Sequence, residues 1–303
     1  MDGRSHRTRQ LRLKPKRSAR AVAIIGTGLI GTSAGLALRQ ASKATRVIGY
    51  DRRSAAARIA RRRGALTSIA PSLEAAVSNA DITVLAVPLT GVISLLPRIL
   101  KAARRGSLVI DVAGLKVPVL AVAETLLARR SSAHFVGGHP LAGRERGGPE
   151  AASADLFTGR PFALCVPKQR ARSAAWREAA SFVRSIGGRP LRISARDHDR
   201  IIAVTSALPQ VVASASALVA KGLLKQTRGL IGPGFESVTR LAESPAGVWT
   251  EPLLANKRNV VMALIAVEGW VRNFRESIKR YDSAQLRQLL HSAAKARRRL
   301  KSK

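Results

Sequence analysis

The chain has 303 residues, of which 46% are hydrophobic and 23% charged, a balance that favours folded domains over intrinsic disorder. Cys165 is the single cysteine, which excludes an intrachain disulfide and a cysteine-based metal site. We therefore predict no metal, and a reducing cytoplasm fits best. The net charge of +35 is extreme, and residues 1–20 and 287–303 each contribute +7 to it.

This basic charge allows two interpretations. Clustered lysine and arginine can neutralise the phosphates of a nucleic acid. The same charge can also lie on a solvated surface and steer anionic ligands toward the protein. We favour the second interpretation, because aromatic residues make up only 4% of the chain and we find no nucleic-acid recognition motif. A non-catalytic, basic nucleic-acid-binding protein stays open as an alternative. Residues 1–20 are predicted to be a disordered basic tail and residues 287–303 a basic C-terminal tail.

Over residues 21–190, apolar runs of strand length alternate with helical patterns, which is typical of a parallel sheet with crossover helices. The predicted strands are Val22–Ile25, Val47–Tyr50, Ile82–Ala86, Leu108–Val112, His134–Gly137, Phe162–Val166 and Arg189–Ile193. The predicted helices are Ile30–Arg39, Ser54–Arg63, Ile93–Ala103, Pro118–Arg129 and Ser173–Ile186. The sequence thus predicts an α/β domain at residues 21–190.

From residue 191 the pattern becomes helical. The segments Asp197–Leu224, Pro245–Arg275 and Ser283–Arg299 suit helices, without a useful period-two alternation. The most apolar stretch, Ile201–Leu224, is interrupted by polar residues and a proline, so we interpret it as a buried helix and expect no membrane partner. We predict an all-α C-terminal domain at residues 191–286, which begins after the Gly187-Gly188 turn.

A glycine-rich turn follows the first predicted strand directly, at Gly26-Thr27-Gly28-Leu29-Ile30-Gly31, and a helical pattern follows the turn. Gly26 would permit the tight turn, Gly28 would let a pyrophosphate approach the backbone, and Gly31 would let the helix pack close to the strand. The pyrophosphate would rest on the helix N-terminus. This context predicts a Rossmann-like dinucleotide site with Leu29 and Ile30 in its first helical turn.

Asp51 ends the second predicted strand, twenty residues beyond Gly31. A carboxylate there can accept hydrogen bonds from the adenosine ribose and would repel a 2′-phosphate, so NAD is favoured over NADP. Arg52 follows directly and could instead accept the phosphate, which keeps NADP possible. Val87 and Pro88 follow another strand at the same sheet edge, where they either line the nicotinamide side or form a plain strand-to-helix turn.

His139 is the candidate catalytic base. It follows a predicted strand within the block Gly138-His139-Pro140-Leu141-Ala142-Gly143, which places an imidazole on a glycine-rich loop at the edge of the cleft. An enzyme that oxidises an alcohol needs a base for the hydroxyl proton, and histidine has a suitable pKa near neutrality. Among the five histidines, the position of His139 favours it for this role.

The chain also resembles a known family. The resemblance rests on residues 138–143 with Glu145, the glycine turn, Asp111 with Lys116, Gly234-Phe235, Thr239-Arg240 and Trp249. Together these motifs resemble the prephenate/arogenate dehydrogenases of tyrosine biosynthesis, from about residue 21 to residue 280.

The resemblance implies NAD-dependent oxidative decarboxylation of prephenate to 4-hydroxyphenylpyruvate or of arogenate to tyrosine. It implies that His139 removes the hydroxyl proton, that Glu145 orients polar groups nearby, and that Arg240 binds a carboxylate of a small anionic substrate. Trp249 would shape the substrate pocket, and Lys116 would also belong to the substrate site. The family also implies a homodimer formed through the helical domain.

Two departures from the family pattern affect the substrate site. Gly114 stands where the family commonly has a serine that assists the histidine. Ser206-Ala207-Leu208-Pro209-Gln210 stands where many members have Ser-His-Leu-Pro-His, and Gln210 can form hydrogen bonds but cannot carry charge. These changes leave the preference between prephenate and arogenate open.

A second alternative is another dehydrogenase of similar layout, of the β-hydroxyacid type. Such an enzyme would use a lysine of the helical domain as its acid and base. The His139 block argues against it.

Overall fold

The computed structural model describes residues 20–128, 133–144, 146–167, 173–222 and 229–301. Its first half alternates strands and helices, as the sequence predicts. The strands are β1 Ala21–Ile25, β2 Arg46–Tyr50, β3 Ser68–Ile69, β4 Ile82–Leu85, β5 Leu108–Asp111, β6 His134–Pro140, β7 Pro161–Cys165 and β8 Arg189–Arg192. The helices are α1 Leu29–Ala41, α2 Ser54–Arg62, α3 Leu73–Ser78, α4 Leu89–Ala102, α5 Val117–Ala128 and α6 Ser173–Ser185.

The eight strands form one sheet in the order β3-β2-β1-β4-β5-β6-β7-β8. The first six strands are parallel and have the strand order of a dinucleotide-binding domain. Strand β7 pairs antiparallel with β6, and β8 pairs parallel with β7. The carboxyl ends of β1, β4 and β5 therefore meet at one edge of the sheet, where such folds bind their ligands.

Helices cover both faces of the central strands of the sheet. Alternation along β1 sends Val22 and Ile24 into the core under α1 and α6, and sends Ala23 and Ile25 into the core under α3, α4 and α5. A sheet covered on both sides reads in sequence as continuous apolar runs, which explains why the strands could be predicted. Strand β3 and helix α3 were not predicted, because both are very short.

The second half is helical, which confirms the predicted fold class. Its elements are α7 Ala195–Ile202, a π-helical turn Ala203–Ala207, α8 Leu208–Lys221, α9 Pro233–Thr239, a 3-10 turn Arg240–Glu243, α10 Ala246–Ala255, α11 Lys257–Lys279 and α12 Ser283–Lys301. The described residues form one small apolar cluster there, with Ala203, Ala207 and Val260 buried and with Trp249, Leu253 and Leu264 packed against them.

Large apolar side chains of the helical half lie on the surface of the single chain. Leu218 and Val219 of α8 are 69% and 76% exposed, and Trp270 of α11 is 58% exposed. The prediction of a buried helix at 201–224 is thus wrong for the single chain over the described residues 201–222, because the neighbouring helices cover only one side of it. By length and composition alone, the helical run Ala195–Lys221 could cross a membrane.

Candidate active site

The glycine turn joins β1 to α1 at the edge of the sheet. Gly26 adopts a φ of +94°, and a Cβ there would lie 2.3 Å from the carbonyl oxygen of Ala86, so only glycine fits. A Cβ on Gly31 would lie 2.0 Å from the carbonyl oxygen of Gly26. Both glycines thus permit the close packing of strand, turn and helix that the sequence predicts.

The first turn of α1 offers a place for a phosphate. Gly28 caps the helix without a side-chain hydrogen bond, and a Cβ on Gly28 would have no atom within 4 Å. The backbone N–H groups of Leu29 and Ile30 begin this 13-residue helix. Open space in front of an uncapped helix N-terminus fits the pyrophosphate of a dinucleotide.

Asp51 lies beside the glycine turn, at the carboxyl end of β2. Its Oδ2 accepts hydrogen bonds from the backbone N–H of Thr27 at 2.7 Å and from the Thr27 hydroxyl at 3.0 Å. Its Oδ1 accepts the backbone N–H of Arg53 at 2.8 Å. These bonds fix a carboxylate where an adenosine ribose is expected, with Arg52 exposed next to it.

Val87 and Pro88 lie between β4 and α4 at the same edge. The Val87 side chain is close enough to the glycine turn that a Cβ on Gly26 would lie 2.8 Å from its Cγ1. Pro88 caps α4, and the N–H group of Thr90 in the first turn of that helix donates to Oε1 of Glu251 at 2.6 Å. Residue Glu251 belongs to α10, so this bond links the sheet domain to the helical half at the edge of the site.

Lys116 and Asp111 form an ion pair that is completely buried, with both side chains 0% exposed. The Lys116 ammonium donates to Oδ2 of Asp111 and, at 2.6 Å, to the carbonyl oxygen of Gly138. Burial raises the pKa of the Asp111 carboxyl, and the adjacent Lys116 charge partly offsets that rise. The expectation that Lys116 contacts the substrate does not fit this burial, because its ammonium is enclosed between β5 and β6.

His139 lies within β6 and not on a loop beyond it, contrary to the sequence prediction. Strand β6 extends to Pro140 because β7 pairs antiparallel with it, and His139 is opposite Ala163. Leu141 follows the strand and begins the lining of a cavity of ≈ 560 Å³, which also includes Arg144, Asp155 and Arg160. The histidine is therefore held by a sheet, and the loop that follows its strand lines a cavity with two arginines.

A chain of hydrogen bonds extends from His139 into the helical half. Its Nδ1 lies 2.9 Å from Nε2 of His198, and Nδ1 of His198 lies 2.7 Å from Oδ1 of Asp199. The Asp199 carboxylate also accepts the backbone N–H groups of Lys116 and Val117, each at 2.8 Å. His198 and Asp199 are both buried, so α7 closes one side of the site.

The pKa of His139 is well below its ordinary value of 6.5, chiefly because burial disfavours the charged imidazolium. Repulsion from His198 and then from Lys116 lowers this pKa further. The imidazole is thus neutral at neutral pH, which a general base requires.

Gly114 lies beside the other nitrogen of the same ring. A Cβ on Gly114 would be 3.9 Å from Nε2 of His139. The position that is commonly serine in the resembling family therefore faces the imidazole directly, and glycine leaves that space open.

Gln210, Arg240 and Trp249 lie in the helical half. The buried Gln210 amide donates to the carbonyl oxygen of Leu241 at 2.9 Å, so it fixes the turn that begins at Arg240. Its Oε1 is buried without a hydrogen-bond partner among the described residues. Trp249 packs on the small helical core, and Arg240 is exposed.

Sequence reasoning missed two site residues and made one prediction outside the described structure. Glu145 lies outside the described residues. Neither His198 nor Asp199 was predicted as a site residue. The adjacent His-Asp pair on the first helix after β8 was the available signal, but His198 contacts a histidine 59 residues away, which no local pattern shows.

The strand order, the glycine turn and the partly buried histidine define a dinucleotide-dependent dehydrogenase with a helical second domain. More particularly, the chain belongs to the prephenate dehydrogenase family. The nucleotide-binding domain of that family matches residues 34–191, and its dimerization domain matches residues 194–292.

Relatives support this assignment. The chain is 38% identical to the probable prephenate dehydrogenase NovF of Streptomyces niveus over 80% of the chain, and it spans 64% of that protein. It is 30% identical to the cyclohexadienyl dehydrogenase of Zymomonas mobilis over 93% of the chain and 96% of that protein.

Among solved structures, the chain is similar to the prephenate dehydrogenase of A. aeolicus in complex with hydroxyphenyl propionate and NAD+. The TM-score is 0.79 at 26% identity, and the match covers 93% of this chain and 99% of the other.

Proposed function

We propose that this protein catalyses the NAD-dependent oxidative decarboxylation of prephenate or arogenate. The observation that carries the proposal is the imidazole of His139, which a strand of the dinucleotide-binding domain holds at hydrogen-bond distance from His198 of the helical half. Membership of the prephenate dehydrogenase family supports the substrate class. The basic surface would steer the anionic substrate toward the site.

In this reaction Nε2 of His139 takes the proton of the ring hydroxyl. The ring carbon that bears this hydroxyl group loses a hydride to the nicotinamide of NAD. Acceptance of the hydride is the chemistry that the cofactor supplies. The bond from the ring to its carboxylate then breaks, CO2 leaves, and the electron pair of that bond completes an aromatic ring. The low pKa of His139 keeps the base unprotonated before each turnover.

Other residues of the site would bind and orient the reactants. The first turn of α1 would hold the pyrophosphate, and Asp51 would accept the ribose hydroxyls, which favours NAD over NADP. Arg240 would bind a substrate carboxylate through its guanidinium, and Glu145 would orient polar groups near the base. Lys116 supports the site without contacting the substrate, because its ammonium donates to the carbonyl oxygen of Gly138, the residue before His139.

Gln210 and Trp249 would complete the substrate pocket from the helical half. The unpartnered Oε1 of Gln210 is an acceptor that a substrate hydroxyl or amino group could use. Trp249 would shape the pocket from its place on the helical core. We place the enzyme in the cytoplasm, where the buried free thiol of Cys165 stays reduced; burial raises its pKa to about 12, so the thiolate is scarce.

We further propose that the protein is a homodimer formed through its helical half. The exposed apolar residues of α8 and α11 lie within the segment that matches the family's dimerization domain. A surface of this kind is typical of a protein interface. Light scattering after size exclusion should give the mass of two chains, and a single-chain mass at micromolar concentration would contradict the proposal.

The test of the activity is direct. The purified chain is incubated with NAD or NADP and with prephenate or arogenate, and the absorbance of the reduced cofactor is followed together with the aromatic product. Replacing the base by His139→Asn should lower kcat on the order of 10²–10⁴-fold. His134→Asn, at the start of the same strand, is the matched control and should keep its activity. Absence of turnover with all four pairings would refute the function.

A further inference from the structure

Asp199, the last residue of the hydrogen-bonded series His139–His198–Asp199, sets the direction of these hydrogen bonds. Both oxygens of the Asp199 carboxylate accept backbone N–H groups, so this group acts as an acceptor. Nδ1 of His198 then donates to it, and a His198 that carries its single ring proton on Nδ1 presents Nε2 as an acceptor. With His198 in that form, Nδ1 of His139 donates to it, and Nε2 of His139 carries a lone pair on the side of Gly114.

We propose that His198 and Asp199 are positioning residues, which hold His139 as the Nδ1–H tautomer so that Nε2 is the nitrogen that accepts the substrate proton. This inference rests on the proposed function, because it assigns the base of that reaction its tautomer. Neither residue touches the reacting atoms. Their contribution is to exclude the opposite tautomer, in which Nε2 would already carry a proton and could not act as a base.

The surroundings make this arrangement rigid. His198 and Asp199 are each 2% exposed, so little water can compete for their hydrogen bonds. Asn256, which caps α11, donates to the backbone carbonyl of Asp199 at 2.8 Å and ties the pair to a second helix. The bonds from Lys116 and Val117 tie the carboxylate to the start of α5.

The charges around His139 also favour a hydrogen-bond relay, His139–His198–Asp199, that ends in a carboxylate. Proton uptake at Nε2 creates an imidazolium, which the Lys116 ammonium destabilises. The Asp111 carboxylate is paired with Lys116 and offsets part of this repulsion. Asp199, acting through His198, adds a negative charge on the Nδ1 side of the ring, where it stabilises the imidazolium that forms during the reaction.

The relay also makes the base depend on the contact between the two domains. His139 belongs to the sheet domain, whereas His198 and Asp199 belong to the first helix of the helical half. Separation of the two would leave Nδ1 of His139 without this acceptor. The Nδ1–H tautomer of His139 is therefore stabilised only while α7 packs against the sheet domain.

The experiment compares Asp199→Asn with a matched control two residues earlier in the same helix, Asp197→Asn. Asp197 is exposed and bonds only locally to Ser194 and Arg200 among the contacts described, so its substitution should leave the kinetics unchanged. Asp199→Asn removes the negative charge behind His198, and its NH2 group would oppose the backbone N–H group of Lys116 or Val117, because each carboxylate oxygen accepts one of them. We expect kcat to fall on the order of 10²–10⁴-fold, while KM and the Kd for NAD change less than about twofold.

A conservative variant separates positioning from simple packing. The amide oxygen of glutamine can take the place of Nε2, so His198→Gln should retain at least about tenfold more activity than His198→Leu, the equivalent of one hydrogen bond. Equal kcat values for these two variants, or an unchanged kcat in Asp199→Asn, would overturn the proposal.

The tautomer can also be observed without turnover. Nitrogen-15 NMR of the chain labelled at histidine should show the Nδ1–H tautomer for both His139 and His198, with assignments from single-histidine variants. An Nε2–H signal from His139 would overturn the inference even if the enzyme is active. If the wild-type chain shows no turnover with any substrate pairing, the proposed function fails, and the NMR result still decides the tautomer. The spectrum itself is recorded on wild-type protein, and the variants serve only to assign its histidine signals.

Discussion

Removal of the Lys116 ammonium has an effect on the stability of the fold that follows directly from the structure. In Lys116→Met the Asp111 carboxylate stays buried and keeps two donors, the backbone N–H groups of Ala113 at 2.9 Å and Gly138 at 3.2 Å. An uncompensated buried charge costs about 3–5 kcal/mol. That is a large part of a typical unfolding free energy of about 5–15 kcal/mol.

The assay is urea unfolding followed by circular dichroism, with the double variant Asp111→Asn/Lys116→Met as control. The double variant has no buried charge at this place, so it should recover most of the lost stability. A loss below about 1 kcal/mol in Lys116→Met, which is the range of an exposed ion pair, would refute the reasoning.

The pH dependence of this loss has a definite sign. Burial already raises the pKa of Asp111, and the loss of Lys116 removes an interaction that lowers it. The folded variant therefore holds a proton to higher pH than the unfolded chain, whose ordinary value is 3.8. Its stability relative to wild type should be highest in acid and should fall as the pH rises through the folded pKa.

Three further predictions concern glycines of the site. Gly26→Ala should destabilise the fold by about 1–3 kcal/mol, because the new Cβ meets the Ala86 carbonyl at a positive φ. Gly28→Ala should have a free energy of unfolding within about 0.5 kcal/mol of the wild-type value, since its methyl group enters only the open space before α1. The variant should bind NAD more weakly by calorimetry, and equal Kd values would contradict a phosphate site there. Gly114→Ser should raise kcat by up to about tenfold, because a hydroxyl can reach Nε2 of His139. An unchanged kcat in a stable Gly114→Ser variant would show that the hydroxyl does not assist the base.

Part of the site was predictable because its signals are local. The glycine turn, the strand before it and Asp51 lie within about thirty residues, and each has a spacing that the backbone geometry of a strand, turn and helix requires. His139 was predictable from the composition of its block. Its place in a strand was not, because the extension of β6 depends on pairing with β7 from a distant part of the chain.

The amino-acid sequence by itself determined the order of strands and helices, the dinucleotide turn and the candidate base, because periodicity and glycine spacing act within one turn or one strand. Only the tertiary structure decided which charged side chains are buried and what they contact. It enclosed Lys116 with Asp111, away from any substrate, and it brought His198 and Asp199 behind His139. Such contacts join residues that are distant in the chain, so their energy comes from packing that no single segment contains.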